Sequence, residues 1–176
     1  DTTTSTTAAT TTTTSTTTTT TLPTTTSPPV LPSPAPPPKA NADEPIVEVG
    51  AVEIPKIGVS KSMFEGVSLG VLDHGPGHWP GTAGPGQVGN MVIAGHRMSH
   101  DHPFRDIDQL VPGDEVFVTD QAGTRFTYHV TGSEVVDPSA MWVLDQTDTA
   151  TATLFACHPK GSTRQRIIVH LELVSA

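Results

Sequence analysis

The sequence predicts an all-β domain, closed or nearly closed into a barrel with short connecting helices and preceded by a disordered stalk. Three observations carry this expectation. From about Asp43 onward the chain consists of short apolar or alternating runs, Gly, Pro and Asp turn signals separate them, and no stretch keeps a helical period through three turns. Many short strands within residues 43–176 favour closure, because a closed sheet has no exposed edge, with a two-sheet sandwich as the alternative.

The stalk comes first. Asp1 to Pro38 is almost entirely Thr, Ser, Pro and Ala with a single charged residue, so it has too little apolar surface to offset its ordering entropy. Thr-rich sequence passing into Pro-rich sequence reads as a partly polyproline spacer, and the chain divides into a stalk, 1–42, and a folded domain, 43–176. Within the domain, Val47, Val49, Val52 and Ile54 mark a first strand that ends at Pro55, and Val88 to Ala94 marks another that ends at Gly95. Pro103 to Leu110 is the best helical segment, with Pro103 at its start and Phe104, Ile107 and Leu110 on one face. Glu115–Thr119 and Thr124–Thr131 flank Asp120 to Gly123 as a hairpin. Thr151–Ala156 and Arg166–Val174 complete the strands.

Charge and cysteine content narrow the functional classes. The net charge of −9 lies almost wholly in the domain and argues against nucleic acid or an anionic lipid surface as the main partner. A single cysteine, Cys157, excludes an internal disulfide and a zinc site built from several thiolates. A chain that opens on Asp1 and a spacer predicts an exported protein held at a membrane by an upstream anchor.

Three strand ends carry chemistry. Cys157 closes the apolar run Ala152–Ala156, His96 follows Met91–Gly95, and Arg166 opens the alternating run Ile167–Leu171. A hairpin between the last two strands brings Arg166 near Cys157. Thiol, imidazole and guanidinium together make an acyl-transfer set: a thiolate attacks, an imidazolium protonates the leaving amine, and a fixed cation holds carbonyl oxygen. No metal or other cofactor is needed. His74 and His78, then His96, His100 and His102, have spacings found in metal sites, but glycine and proline place them in loops rather than on one helix face. His158, next to the thiol, reads as a loop residue. Trp79 either lines a groove or plugs the barrel.

The words IPKIGV (54–59), GPGHWPGT (75–82), GNMVIAGHR (89–97), PGDEVFV (112–118) and CHPKGSTRQRIIV (157–169) resemble, in order, those of the sortases, most like the class E enzymes of Gram-positive actinobacteria. The resemblance covers Val47 to Val174. It implies an eight-stranded sortase-type barrel, with Cys157, His96 and Arg166 as catalytic positions and Arg97 and Arg164 outside that role. Two positions depart from the pattern: Ala156 stands where a Thr usually precedes the cysteine, leaving its backbone N–H as the available oxyanion donor. His100 stands where class E relatives often carry the Tyr associated with LAxTG-like motifs.

The family's activity is transpeptidation. The resemblance implies partners that are secreted proteins with a C-terminal sorting motif and an amine acceptor such as a peptidoglycan precursor or a pilin lysine, on the outer face of the cell membrane. Water as the acceptor gives a hydrolytic side reaction. A catalytically silent surface-binding module and a histidine-based metal hydrolase are the competing readings. In the stalk, Leu22-Pro23-Thr24-Thr25-Thr26 imitates LPxTG except at its last residue, either by chance or as a pseudosubstrate.

Overall fold

The computed structural model describes residues 2–3 and 30–176. The Leu22–Thr26 segment therefore lies outside the described residues. Eight strands close into one barrel: β1 (Glu48–Ile54), β2 (Val59–Glu65), β3 (Gly77–His78), β4 (Gly89–Ala94), β5 (Glu115–Asp120), β6 (Arg125–Val136), β7 (Ala150–His158) and β8 (Gln165–Ser175). Around the barrel the order is β1-β2-β3-β4-β7-β8-β6-β5, which excludes the sandwich. Among the described residues no helix is long and apolar enough to cross a membrane.

Alternation along the strands builds the interior. On β8 Ile167, Val169 and Leu171 point inward, joined by Ala152, Leu154 and Ala156 of β7 and by Met91 and Ile93 of β4. Each fully buried Ile or Leu contributes on the order of 2 kcal/mol through removal of apolar surface from water. Strand β4 is buried at every position, because Val92 on its other face belongs to a second cluster with Trp79 and Leu144 outside the barrel. Trp79 thus covers the outer face of the sheet rather than plugging the lumen.

Two pairings are parallel and need crossovers. Strands β2 and β3 are linked through a one-turn helix, α1 (Leu69–Leu72), whereas β4 and β7 are linked through the hairpin of β5 and β6. That hairpin turns at Asp120–Gly123, as expected, but β6 runs on to Val136 through a register shift at Gly132. The expected helix at Pro103–Leu110 is instead a series of turns with one 3-10 turn at Ile107–Gln109. Its apolar face is nonetheless buried, with Phe104 and Ile107 inaccessible and Leu110 3% exposed. The Arg97 side chain takes the Arg105 carbonyl at 3.1 Å, diverting an acceptor that a continuing helix would use.

Residues 30–42 carry no strand or helix, yet they lie against the domain. Ala35 donates to the Pro80 carbonyl at 2.8 Å and accepts from Trp79 Nε1 at 2.9 Å, while Ala40 accepts from the Leu69 N–H at 2.8 Å. The approach is close: a Cβ on Gly81, whose φ is +77°, would meet the Ser33 carbonyl oxygen at 2.3 Å.

Candidate active site

Parallel pairing of β4 with β7 sets Ala94 opposite Phe155, and Gly95 donates to the Phe155 carbonyl at 3.1 Å. His96 and Cys157 each stand two residues beyond that pair, so one end of the sheet presents both. Antiparallel pairing of β7 with β8 then sets Cys157 directly opposite Arg166. Strand alternation turns Cys157, Phe155, Arg166 and Ile168 outward, away from the barrel core.

His96, Cys157 and Arg166 line one cavity of about 260 Å³ on this outer face. Its walls include Trp79, Phe155, Val67, Leu69 and Leu72, and Pro37, Pro38 and Ala40 from the proline-rich segment. Cys157 is a free, half-buried thiol. Arg166 is held by its own loop, donating from one guanidinium nitrogen to the carbonyls of Thr163 and Gln165 at 3.0 and 2.9 Å. Arg166 also lines the neighbouring small cavity beside Trp79 and Phe155. A larger cavity of about 340 Å³ lies along the same sheet between Thr151, Thr153, Trp142 and His170, but it contains no thiol.

His96 is oriented from behind. Asp73 Oδ1 accepts from its Nε2 at 2.9 Å, which assigns the proton to Nε2 and leaves Nδ1 as the other working nitrogen. Gly95 is required immediately before it, because a Cβ there would come within 2.4 Å of the Phe104 ring. Gly95→Ala should therefore lower stability by about 1–3 kcal/mol through overpacking. It should also reduce kcat/KM by displacing His96. Thermal unfolding checks the first effect, and an unchanged Tm would show that the Phe104 ring yields freely.

Other expected residues separate by position. The Ala156 side chain points into the barrel core at 2% exposure, so only its backbone faces the cavity. Trp79 lines the cavity and packs 6.0 Å from Phe155, centroid to centroid. His100 is absent from the cavity wall: it stacks on His96 at 5.5 Å and contacts Asp73 Oδ1 through Nδ1 at 3.0 Å. Its loop is tied back by Lys61, whose hydrogen bond to Asp101 holds that carboxyl below the usual range. His158 accepts at Nδ1 from Arg97 at 2.8 Å and is a structural partner of the strand end.

Sequence reasoning missed three contributors: Asp73, the wall formed by Pro37 to Ala40, and Arg97. Arg97 is 2% exposed and joins the half-exposed Asp108, the Arg105 carbonyl and His158 into one part-buried knot at the end of the thiol strand. Proximity to His96 in AGHR was the only available signal for Arg97, and none marked the other two.

A Sortase domain model matches residues 52–174. Sortase E1 of Streptomyces coelicolor is 35% identical over 147 residues, covering 74% of this chain and 42% of that protein. Sortase D of Bacillus subtilis is 30% identical over 125 residues, covering 69% and 61%. The chain thus spans 42% and 61% of the lengths of these two relatives. Among solved structures, a Clostridium perfringens sortase D5 transpeptidase superposes with a TM-score of 0.66 at 37% identity, covering 73% of this chain and 79% of that one. Sortase E1 from Streptomyces coelicolor with a tripeptide in the active site gives 0.68 at 31% identity, covering 73% and 89%. Shared barrel, matched family model and relatives of this identity establish that the chain belongs to the sortase family, where it is most like class E.

Proposed function

We propose that the chain is a transpeptidase that cleaves an LPxTG- or LAxTG-like sorting motif between Thr and Gly and transfers the acyl part to an amine. The supporting observation is the convergence of Cys157, His96 and Arg166 on one cavity, with Cys157 and Arg166 in register on adjacent strands. The Cys157 thiolate attacks the Thr carbonyl carbon, and Arg166 holds substrate carbonyl oxygens. As the Thr–Gly C–N bond breaks, His96 gives its proton to the leaving amine, and a thioester to Cys157 remains. An incoming amine then attacks the thioester, His96 takes a proton from it, and the C–S bond breaks to regenerate the thiolate.

The acceptor is a cell-wall precursor or a pilin lysine, water gives slower hydrolysis, and the setting is the outer face of the cell membrane behind a Thr/Pro-rich spacer covering residues 1–42. Trp79 and the Ala156 backbone contact substrate. A sorting-peptide library with intact-mass detection of the acyl-enzyme tests the reading, because only a thioester on Cys157 adds the acyl mass and disappears with hydroxylamine. Absence of any adduct across Leu-Pro and Leu-Ala peptides would sink it.

The active form needs one protonated and one deprotonated group, so kcat/KM should trace a bell against pH. EDTA should leave turnover intact. A flat profile from about pH 5 to 10, or loss on chelation with recovery on adding zinc, would count against thiol–imidazole catalysis.

A further inference from the structure

We infer that Asp73, His96 and His100 form a binding site for a divalent transition metal of the zinc type, and that occupancy switches the transpeptidase off by sequestering His96. The inhibitory consequence rests on the catalytic role proposed for His96, whereas the site itself does not.

The donor set is the first argument. Asp73 offers a carboxylate oxygen, His96 its Nε2 and His100 its Nδ1, and these ligand atoms all lie within 4.8 Å of one another. Two imidazoles and a carboxylate suit zinc and neighbouring first-row ions, whereas magnesium and calcium prefer oxygen alone. The spacing also fits. Ligands about 2.0–2.2 Å from a tetrahedral zinc sit about 3.3 Å apart, and the Asp73 oxygen is already 2.9 Å from His96 and 3.0 Å from His100. Admitting the ion requires the two N–H groups that now converge on Oδ1 to lose their protons and the three groups to part by a few tenths of an ångström.

Competing histidines are engaged elsewhere. His74 is bonded to the Gly70 carbonyl, His78 to Glu65 and the Ala83 carbonyl, and His158 to Arg97. Among the described residues no other group brings three such ligands together. The backbone supplies a further reason. His100, Asp101 and His102 adopt φ values of 42°, 44° and 35°, a left-handed run that non-glycine residues seldom adopt because Cβ crowds the backbone there. The Lys61–Asp101 bond helps hold this run, and its outcome is to bring His100 onto the face of His96.

Occupancy has a direct chemical consequence. A metal on Nε2 removes the hydrogen bond that orients His96 and withdraws the ring from proton transfer. Cys157 lines the cavity beside His96 but is not one of the three ligands.

The test is zinc binding to the full chain carrying Cys157→Ala, which removes the thiol as a ligand, measured by competition with a chromophoric chelator. One zinc per chain is expected, with His100→Ala and Asp73→Asn each weakening binding at least about tenfold. Zinc should also raise the Tm of the Cys157→Ala chain and leave that of the added His100→Ala variant unmoved, a readout that applies to folded protein only. Undiminished zinc affinity in both variants would overturn the site. For the switch, turnover of the otherwise native enzyme is titrated with zinc and each variant is normalised to its own zinc-free rate. His100→Ala should need at least about tenfold more zinc for half-inhibition, and EDTA should restore activity. Equal sensitivity would overturn the switch and place the inhibitor on another ligand. Zinc binding without any peptide transfer would sustain the site and defeat the proposed transpeptidase; transfer without ligand-dependent zinc binding would do the reverse.

Discussion

Cys157→Ala is expected to abolish the acyl-enzyme and all turnover, while His96→Ala and Arg166→Ala each lower kcat/KM at least about a hundredfold. The ranking follows from the roles: no other thiol exists in the chain to form the thioester, whereas a missing acid or oxyanion donor is partly replaced by water. Arg164→Ala is the control. Arg164 is exposed and lies just before β8, outside the cavity wall, so its loss should be mild. Full activity in Arg166→Ala would overturn the assignment of the in-register arginine. The measurement is peptide turnover alongside intact-mass detection of the thioester.

Much of the barrel was legible because apolar runs announced themselves. β4, β7 and β8 each carry an uninterrupted or alternating apolar stretch, and the turn at Asp120–Gly123 separates β5 from β6. β2 was hidden because Ser60, Lys61 and Ser62 occupy its middle, with Val59 and Met63 its buried residues. β3 is only two residues long, below any periodicity. The Pro103–Leu110 segment misled for a different reason: its apolar spacing suits either a helix or successive turns around one core contact, and the deciding interaction comes from Arg97.

The site divides along the same line. Cys157, His96 and Arg166 each terminate or open a recognisable strand, so topology alone could bring them together. Asp73 lies 23 residues before its partner, in a connection whose glycines conceal any pattern. The proline-rich wall was unreadable because backbone groups make its anchoring bonds: Ala35 N–H and carbonyl, and the Ala40 carbonyl. Composition describes how a segment behaves in isolation. It does not show that Trp79 Nε1 and the Leu69 N–H await partners.

Arg97→Ala should be among the most damaging changes away from the cavity. Its guanidinium is 2% exposed and donates to Asp108 at 2.8 Å, to the Arg105 carbonyl at 3.1 Å and to His158 at 2.8 Å, with a longer contact to the Cys157 carbonyl at 3.4 Å. Removing one partner of a buried ion pair leaves the other uncompensated and costs about 3–5 kcal/mol. Asp108 is 38% exposed and so recovers some hydration, which points to the lower end, about 3 kcal/mol. For a domain of this size that corresponds to a fall in Tm on the order of 10 °C. Activity should fall as well, because the knot fixes the end of β7 that carries the thiol. Arg97→Lys should recover little, since a single ammonium cannot reproduce the fork that reaches Asp108, His158 and a carbonyl together. A double-mutant cycle with Asp108→Ala separates the pair from general packing: the Arg97→Ala loss should shrink clearly in the Asp108→Ala background. Additive losses, or a Tm within a few degrees of the parent for Arg97→Ala, would show that the strand end is held by the barrel and not by this arginine.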